Sequence, residues 1–399
     1  MKITRIETLR LGEFPNLIWV RVHTDAGPVG LGETYMGAAA VEAHIHDFAA
    51  PRLLGQNPLQ IERLNRALVG YVGRSGTGAE MRGNSALDIA LWDLFGKAVG
   101  QPLVQVLGGA SRDAIRIYNT CAGYRYIRNA SQQRTDNFGL GGGDGPYEDL
   151  DAFLNRADEL AESLLEQGIT GMKIWPFDFA AEASNGLYIS GPDLDRALEP
   201  FRKIRRAVGN RMDIMVEFHS LWSLPAAQKI ARALAEFDTF WHEDPIRMDG
   251  LASLKEYART SPAPVCASEM LATRYAFRDL LETGAAGYAM LDICWCGGLT
   301  EARKIAAMAD AWHLPVAPHD CVGPVVLAAS THLSLHAPNA IVQETVRAFY
   351  TGWYRELVTD LPRIENGMVS VSDKPGIGLE LLPDLVKRKD AVVRESRLD

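Results

Sequence analysis

Apolar and polar residues alternate along residues 3–11, 17–23 and 29–34, and the stretch TDAGP lies between the last two. Period-two patterning bounded by turn residues marks β-strands, so the chain is expected to open with a small antiparallel meander. The spacing then becomes helical over 38–54, 58–69 and 85–98. In the last of these, Ala86, Ile89, Ala90, Trp92, Leu94 and Phe95 leave little polar surface, which predicts a buried helix. The first ~110 residues therefore read as an α+β unit.

Beyond Gly108-Gly109, strand-like apolar runs near 114–119, 171–174, 212–216, 239–241, 265–268, 288–291, 314–317 and 340–342 alternate with helical patterns such as 151–167, 193–208, 225–237, 300–311 and 324–336. Alternating strands and helices argue for a parallel sheet, and eight such strands for a (β/α) barrel. Lys173, Glu217, Glu243, Glu269, Asp292, His319 and Glu344 close these runs, at separations of 44, 26, 26, 23, 27 and 25 residues. A βα unit takes roughly 30 residues, so one ionisable group falls at each successive strand end, on the face where a barrel builds its active site. The long first interval holds an insertion around 177–192. In VEFHS (216–220), Glu217 and His219 stand two apart, and on a strand such residues point to the same side.

Three carboxylates from adjacent strands, Glu217, Glu243 and Glu269, would raise one another's pKa if they met unpaired. A hard divalent cation removes that conflict, and oxygen-only ligation suits Mg2+. A single glutamate would pair with a local Arg or Lys; three at a spacing of 26 residues point to the metal. Asp292 and His319 end neighbouring strands, where a carboxylate on one imidazole nitrogen makes the other a general base. His219 faces the same pocket as a candidate general acid, or alternatively as a partner to Glu217. Zinc on His219, Cys294 and Cys296 is the competing metal idea, but Cys-x-Cys alone lacks a zinc-ribbon spacing, and both thiols are expected to be loop or core residues.

Composition narrows the partners. With 399 residues, 47% hydrophobic and 23% charged, the chain is expected to be a two-domain enzyme. A net charge of −9 without a long basic run argues against nucleic acid or an anionic membrane as partner. The amino terminus lacks a signal-peptide layout and no apolar run reaches the ~20 residues of a membrane span, so a cytoplasmic location is expected. The five cysteines are read as reduced thiols.

The segments SALDIALWDLFGK (85–97), MKIW (172–175), VEFHS (216–220), HEDP (242–245), ASE (267–269), LDICWCGGLTEA (291–302), APHDCVGPV (317–325) and VQET (342–345) resemble, in order, those of the enolase superfamily, mandelate racemase subgroup, and most of all its galactonate-type sugar-acid dehydratases. The resemblance implies an α/β fold: a modified (β/α)7β TIM-like barrel at 113–367 under an α+β capping domain at 1–112 completed by 368–399. It implies Mg2+ on Glu217, Glu243 and Glu269, abstraction of a proton α to a carboxylate, a small sugar acid as substrate and assembly into a homo-oligomer. Lys173 would add positive charge beside the substrate carboxylate. Glu344, protonated or sharing a proton, would donate a hydrogen bond to it.

Two departures refine this. Racemases of the subgroup carry a Lys-x-Lys pair whose second lysine is a base; here that position is Trp175, a candidate substrate-binding residue. Glu217 stands where aspartate is commoner. With one His–Asp base (His319, Asp292) and one acid (His219), the expected reaction is dehydration of an aldonate-like acid to a 2-keto-3-deoxy acid through an enediolate. An epimerase, racemase or cycloisomerase using the same enediolate, or a non-catalytic sugar-acid binding protein, are the alternatives. Specificity is expected from loops 12–16, 71–83 and 124–146, the last long enough for a lid, and from Trp175, Trp222 and Trp295 as pocket walls.

Overall fold

The computed structural model describes residues 1–69, 76–126, 128, 133–143 and 145–398. The meander forms as its alternation predicts: β1 (Ile3–Leu11), β2 (Leu17–Thr24) and β3 (Val29–Tyr35) pair antiparallel in that order. The strand Ala391–Arg397 adds to the outer side of β1, with Val393 opposite Leu9, so both ends of the chain share one four-stranded sheet. The helix Ala79–Val99 lies against β3 at a separation only glycine allows. A Cβ on Gly30 or Gly32 would run into the carbonyl oxygen of Ala90 or Ala86. The helix starts at Ala79 rather than at 85, because Glu80, Arg82 and Asn84 give its first turns a polar side that apolar spacing does not mark. Residues 38–53 are helical as expected, with a π-helical turn at Ile45–Ala49 inside the run.

The second unit is built on β4 (Ile115–Thr120), β5 (Gly171–Ile174), β6 (Asp213–Glu217), β7 (Trp241–Glu243), β8 (Val265–Ala267), β9 (Ala286–Ala289) and β10 (Gln343–Thr345). Parallel pairing runs unbroken from β4 to β9. It continues through single bridges, Ala289 to Val316 and Val316 to Ala340, and β10 pairs back onto β4. The result is a barrel-like α/β unit whose seventh position, expected as a strand at 314–317, is one bridging residue. The hairpin Arg363–Glu365 and Met368–Ser370 pairs antiparallel with the start of β4.

Inside the barrel, Tyr118, Met215, Trp241, Cys266, Met290, Ala317 and Val342 form a cluster of their own, nearly all of it without solvent exposure. Each side chain two residues further along points the same way, because side chains on a strand repeat every second position. Thus Thr120, Glu217, Glu243, Ser268, Asp292, His319 and Glu344 form the next layer up, resting on an apolar floor. Strand periodicity sets this depth on β4, β6 and β7, whereas Ser268, Asp292 and His319 lie just past the strand residues of their positions.

The meander unit is fastened over the barrel by buried polar contacts. Glu33 accepts hydrogen bonds from the Trp19 indole (2.6 Å) and from Val326 N–H (3.0 Å) in the first turn of the helix Pro324–His336. Asp88 accepts from Thr300 N–H (2.8 Å) and its hydroxyl (2.6 Å) in the helix Gly298–Ala311. No helix among the described residues is long and apolar enough to cross a membrane.

On the same helix as Val326, His332 Nδ1 accepts the Val104 N–H at 3.1 Å and Nε2 faces the Ile377 carbonyl at 3.4 Å, an arrangement only a neutral ring satisfies. Burial pushes its pKa down from 6.5 to about 4. The unfolded chain therefore binds a proton the native chain does not, and stability that is complete above pH 6.5 is lost as pH falls toward 4. The expected slope is about 1.4 kcal/mol per pH unit. In urea titrations His332→Leu should lower the midpoint at pH 7 yet make its decline between pH 6.5 and 4 shallower than in wild type; an unchanged slope would refute the assignment.

Candidate active site

β6 and β7 run in register with Glu217 directly beside Glu243. The chain leaving β8 brings Glu269 to the same point, and one carboxylate oxygen of each lies within 4.8 Å of the others, all three residues being buried. Glu217 Oε1 accepts the N–H groups of Phe218 (3.0 Å) and His219 (2.7 Å), and the Trp241 indole donates to Glu243 Oε2 at 3.0 Å. Lys173 Nζ stands among the acids, 2.5 Å from Glu243, 2.9 Å from Glu344 and 3.2 Å from Glu217.

The electrostatics follow from this crowding. Burial alone would drive Lys173 toward the neutral amine; the carboxylates of Glu243, Glu344 and Glu217 override it and hold the ammonium well above the usual lysine range. Burial and the adjacent Glu217 charge push Glu243 well above the ordinary carboxylate range. Glu217 is buried too, but the His219 and Lys173 charges and its backbone donors bring it down to about 2. Two side-by-side carboxylates whose hold on a proton is driven in opposite directions are the conflict a divalent cation relieves. The donor set, oxygen only and converging, fits a hard cation. Cys294 and Cys296 are buried and held as thiols by that burial. Among the described residues only the three glutamates converge in this way.

Each of two histidines is gripped by an aspartate. His319 Nδ1 lies 2.8 Å from Asp292 Oδ2 and its Nε2 lies 2.7 Å from Glu269 Oε2. Burial opposes the charged ring, and Glu269 and Glu344 outweigh it, raising its pKa well above the usual value. His219 reaches the pocket by a route the sequence does not show. β6 ends at Glu217, so the shared-face argument does not extend to His219; instead His219 and Ser220 adopt left-handed backbone, with φ of +49° and +56°. That turn aims the amides at Glu217 and the ring at Asp178, with Nδ1 2.7 Å from Asp178 Oδ2. Burial lowers the ring's pKa, but Asp178 and Glu217 lift it to about 9.

These groups meet at a cavity of about 410 Å3 bordered by Lys173, Trp175, Glu217, His219, Glu269 and His319. Glu243, Asp292 and Glu344 lie behind its wall, fully buried. Tyr35 and Met36 enter from the meander, with Thr120, Tyr126, Gln133, Trp295 and Cys321 completing the border. Of these seven, Trp295 was singled out by sequence, and Tyr126 and Gln133 belong to the expected specificity loop 124–146; Tyr35, Met36, Thr120 and Cys321 were not given a place at the site, and Asp178 was missed with them. The one signal for Asp178 was the long interval between Lys173 and Glu217, where it opens the helix Asp178–Ser184.

Other expectations need correction. Glu344 does not border the cavity and is no donor: it accepts from Thr120 Oγ1 and Asp320 N–H. Burial raises its pKa, yet Lys173 and His319 outweigh burial and keep it below the usual value, as a carboxylate. Trp222 is buried away from the cavity, whereas Trp175 and Trp295 border it. Loop 12–16 contributes Phe14 and Asn16 to an adjoining cavity of about 280 Å3 that shares Tyr35, Tyr126 and Cys321 with the first. Of loop 71–83, residues 71–75 lie outside the described residues and 79–83 are helical. Of loop 124–146, residues 127, 129–132 and 144 lie outside them, while Thr135 N–H and Arg134 Nε bind Glu182, each at 3.1 Å.

The sequence matches the enolase C-terminal domain-like family over residues 156–385 and the mandelate racemase / muconate lactonizing enzyme N-terminal domain over 13–108. The chain belongs to the enolase superfamily, mandelate racemase subgroup. Among solved structures, this subgroup member is similar to an enolase of the same subgroup from Agrobacterium tumefaciens, with 59% identity, TM-score 0.89, and 100% of this chain and 99% of that one covered. An enolase protein from Sargasso Sea environmental sequencing has 45% identity and TM-score 0.88 over 100% and 99%. Relatives of named activity include a D-galactonate dehydratase from Variovorax paradoxus, 31% identical over 96% of this chain and 92% of that protein. A D-xylonate dehydratase from Haloferax volcanii is 30% identical over 97% and 88%.

Proposed function

We propose that this enolase-superfamily protein is a Mg2+-dependent sugar-acid dehydratase, a hydro-lyase that converts an aldonate-like acid to its 2-keto-3-deoxy acid. The observation that carries this reading is the pairing of two aspartate-held histidines, His319 and His219, across one cavity beside three converging carboxylates. Sugar-acid dehydratases among the relatives support the substrate class.

Glu217, Glu243 and Glu269 would hold Mg2+, which when bound supplies positive charge for the oxyanion developing on the substrate carboxylate. Lys173 adds a second, permanent positive charge at the same end. His319, oriented by Asp292 and freed at Nε2 once Glu269 turns to the cation, takes the α-proton. The electron pair of that C–H bond moves into the carboxylate as an enediolate, and collapse of the enediolate forms the C2–C3 double bond of the enol as the bond from C3 to its hydroxyl oxygen breaks. The oxygen leaves with its bonding pair, takes a proton from His219 and departs as water. The enol then tautomerises to the 2-keto acid. Trp175, at the wall where a racemase places its second base, offers nothing to return a proton to the opposite face, so the two-base isomerisation is disfavoured.

A panel of aldonates that includes D-galactonate and D-xylonate should yield at least one 2-keto acid product, detected as its semicarbazone. Treatment with EDTA should abolish turnover and Mg2+ should restore it. Activity indifferent to EDTA would overturn the metal assignment, and isomerised substrate without keto acid would overturn the dehydratase assignment.

A further inference from the structure

Asp178 sits outside the cavity wall, at the start of the helix Asp178–Ser184 inserted after β5. Its Oδ2 lies 2.7 Å from His219 Nδ1, and its side chain is 5% exposed against 18% for the ring. Its other oxygen, Oδ1, is buried without a hydrogen-bond partner, so His219 is the one side-chain anchor the carboxylate has among the described residues. The edge of Trp175 packs on the imidazole at 5.8 Å and 71°, blocking rotation on another side. With Nδ1 committed to Asp178, only Nε2 is left for the cavity that His219 borders. The arrangement duplicates the grip of Asp292 on His319 Nδ1 at 2.8 Å.

We propose that Asp178 is the positioning residue of the acid half of the reaction: it holds His219 with Nε2 toward the departing 3-hydroxyl, as Asp292 holds His319 for the α-proton. This rests on the dehydratase reading above. Asp178 itself gains and loses no bond; the proton delivered to the leaving oxygen comes from His219. A carboxylate that fixes an imidazole's orientation in this manner is worth about 10- to 100-fold in activity in comparable metal-site cases. The same helix also carries Glu182, which takes the Arg134 Nε and the Thr135 N–H, so the segment leading from Gln133 at the cavity border is tied to the element that positions the acid.

The test separates the two proton transfers. With a substrate found by the aldonate panel and Mg2+ present, Asp178→Asn is assayed in D2O for keto-acid formation and for deuterium at C2 of recovered substrate. Dehydration should fall about 10- to 100-fold with KM little changed, while deuterium enters recovered substrate faster relative to product than in wild type, because His319 still works. Asp178→Asn combined with His219→Asn should be no slower than His219→Asn alone. Parallel loss of exchange and dehydration, or additive losses in the double variant, would overturn the inference while leaving the dehydratase reading intact. A wild type that makes no keto acid from any sugar acid overturns both. If Asp178→Asn does not fold, Asp178→Glu decides by the same ratio.

Discussion

His319→Asn is expected to lower kcat for keto-acid formation by about 10^3- to 10^4-fold, the upper part of the range for a positioned general base, and to abolish deuterium incorporation at C2. The expectation rests on the ring's setting. His319 is the imidazole held at Nδ1 by Asp292 and brought at Nε2 to 2.7 Å from Glu269, one of the three converging acids. The base therefore stands where the substrate carboxylate and α-carbon have to be. Asparagine can keep one hydrogen bond of the pair but accepts no proton at neutral pH. Loss of exchange together with loss of product distinguishes this position from His219 and Asp178, whose variants should retain exchange. Residual kcat within tenfold of wild type would remove His319 from its role.

Lys173→Met is expected to destabilise the protein by about 3–5 kcal/mol when EDTA is present, the usual consequence of removing one partner of a buried ion pair. Lys173 is 2% exposed and is the ammonium shared by Glu243, Glu344 and Glu217. Without it, buried carboxylates face one another, and they can only protonate or open the layer. A divalent cation on Glu217, Glu243 and Glu269 restores positive charge at two of those three contacts, so Mg2+ should recover a substantial part of the loss. Urea midpoints of wild type and variant, each with EDTA and with Mg2+, check this. An equal deficit in both conditions would argue that the glutamates hold no cation. Even with Mg2+, turnover should stay about 10^2- to 10^3-fold low, because a fixed charge beside the developing oxyanion is gone.

Much of this was legible because it depends on local periodicity. The bounds of β1, β5 and the helix Pro324–His336 follow the apolar pattern, and the ionisable residues spaced near 25 apart do end up in one layer or beside it. What escaped depends on geometry that periodicity does not encode. His219 enters through a left-handed turn stabilised by the Glu217 carboxylate, which no strand rule anticipates. Asp178 meets it from 41 residues away along the chain, through an insertion with no repeat to mark it. Glu344 was expected, from the family resemblance, to be a proton donor; the deciding neighbour is Lys173, and only the fold shows that the ammonium reaches it at 2.9 Å. Strand β7 runs from Trp241 to Glu243 instead of 239 to 241, since pairing with β6 and not apolar content fixes where it begins.

The floor of Tyr118, Met215, Trp241, Cys266, Met290, Ala317 and Val342 leaves the barrel axis sealed from below. A molecule in the cavity therefore approaches from the opposite side, where Tyr35, Met36, Tyr126 and Gln133 are among the residues that border it. Arrival of the acid, escape of the water molecule and departure of the keto acid all take place on that side of the floor. Residues that make or break no bond thus govern the traffic of everything that does.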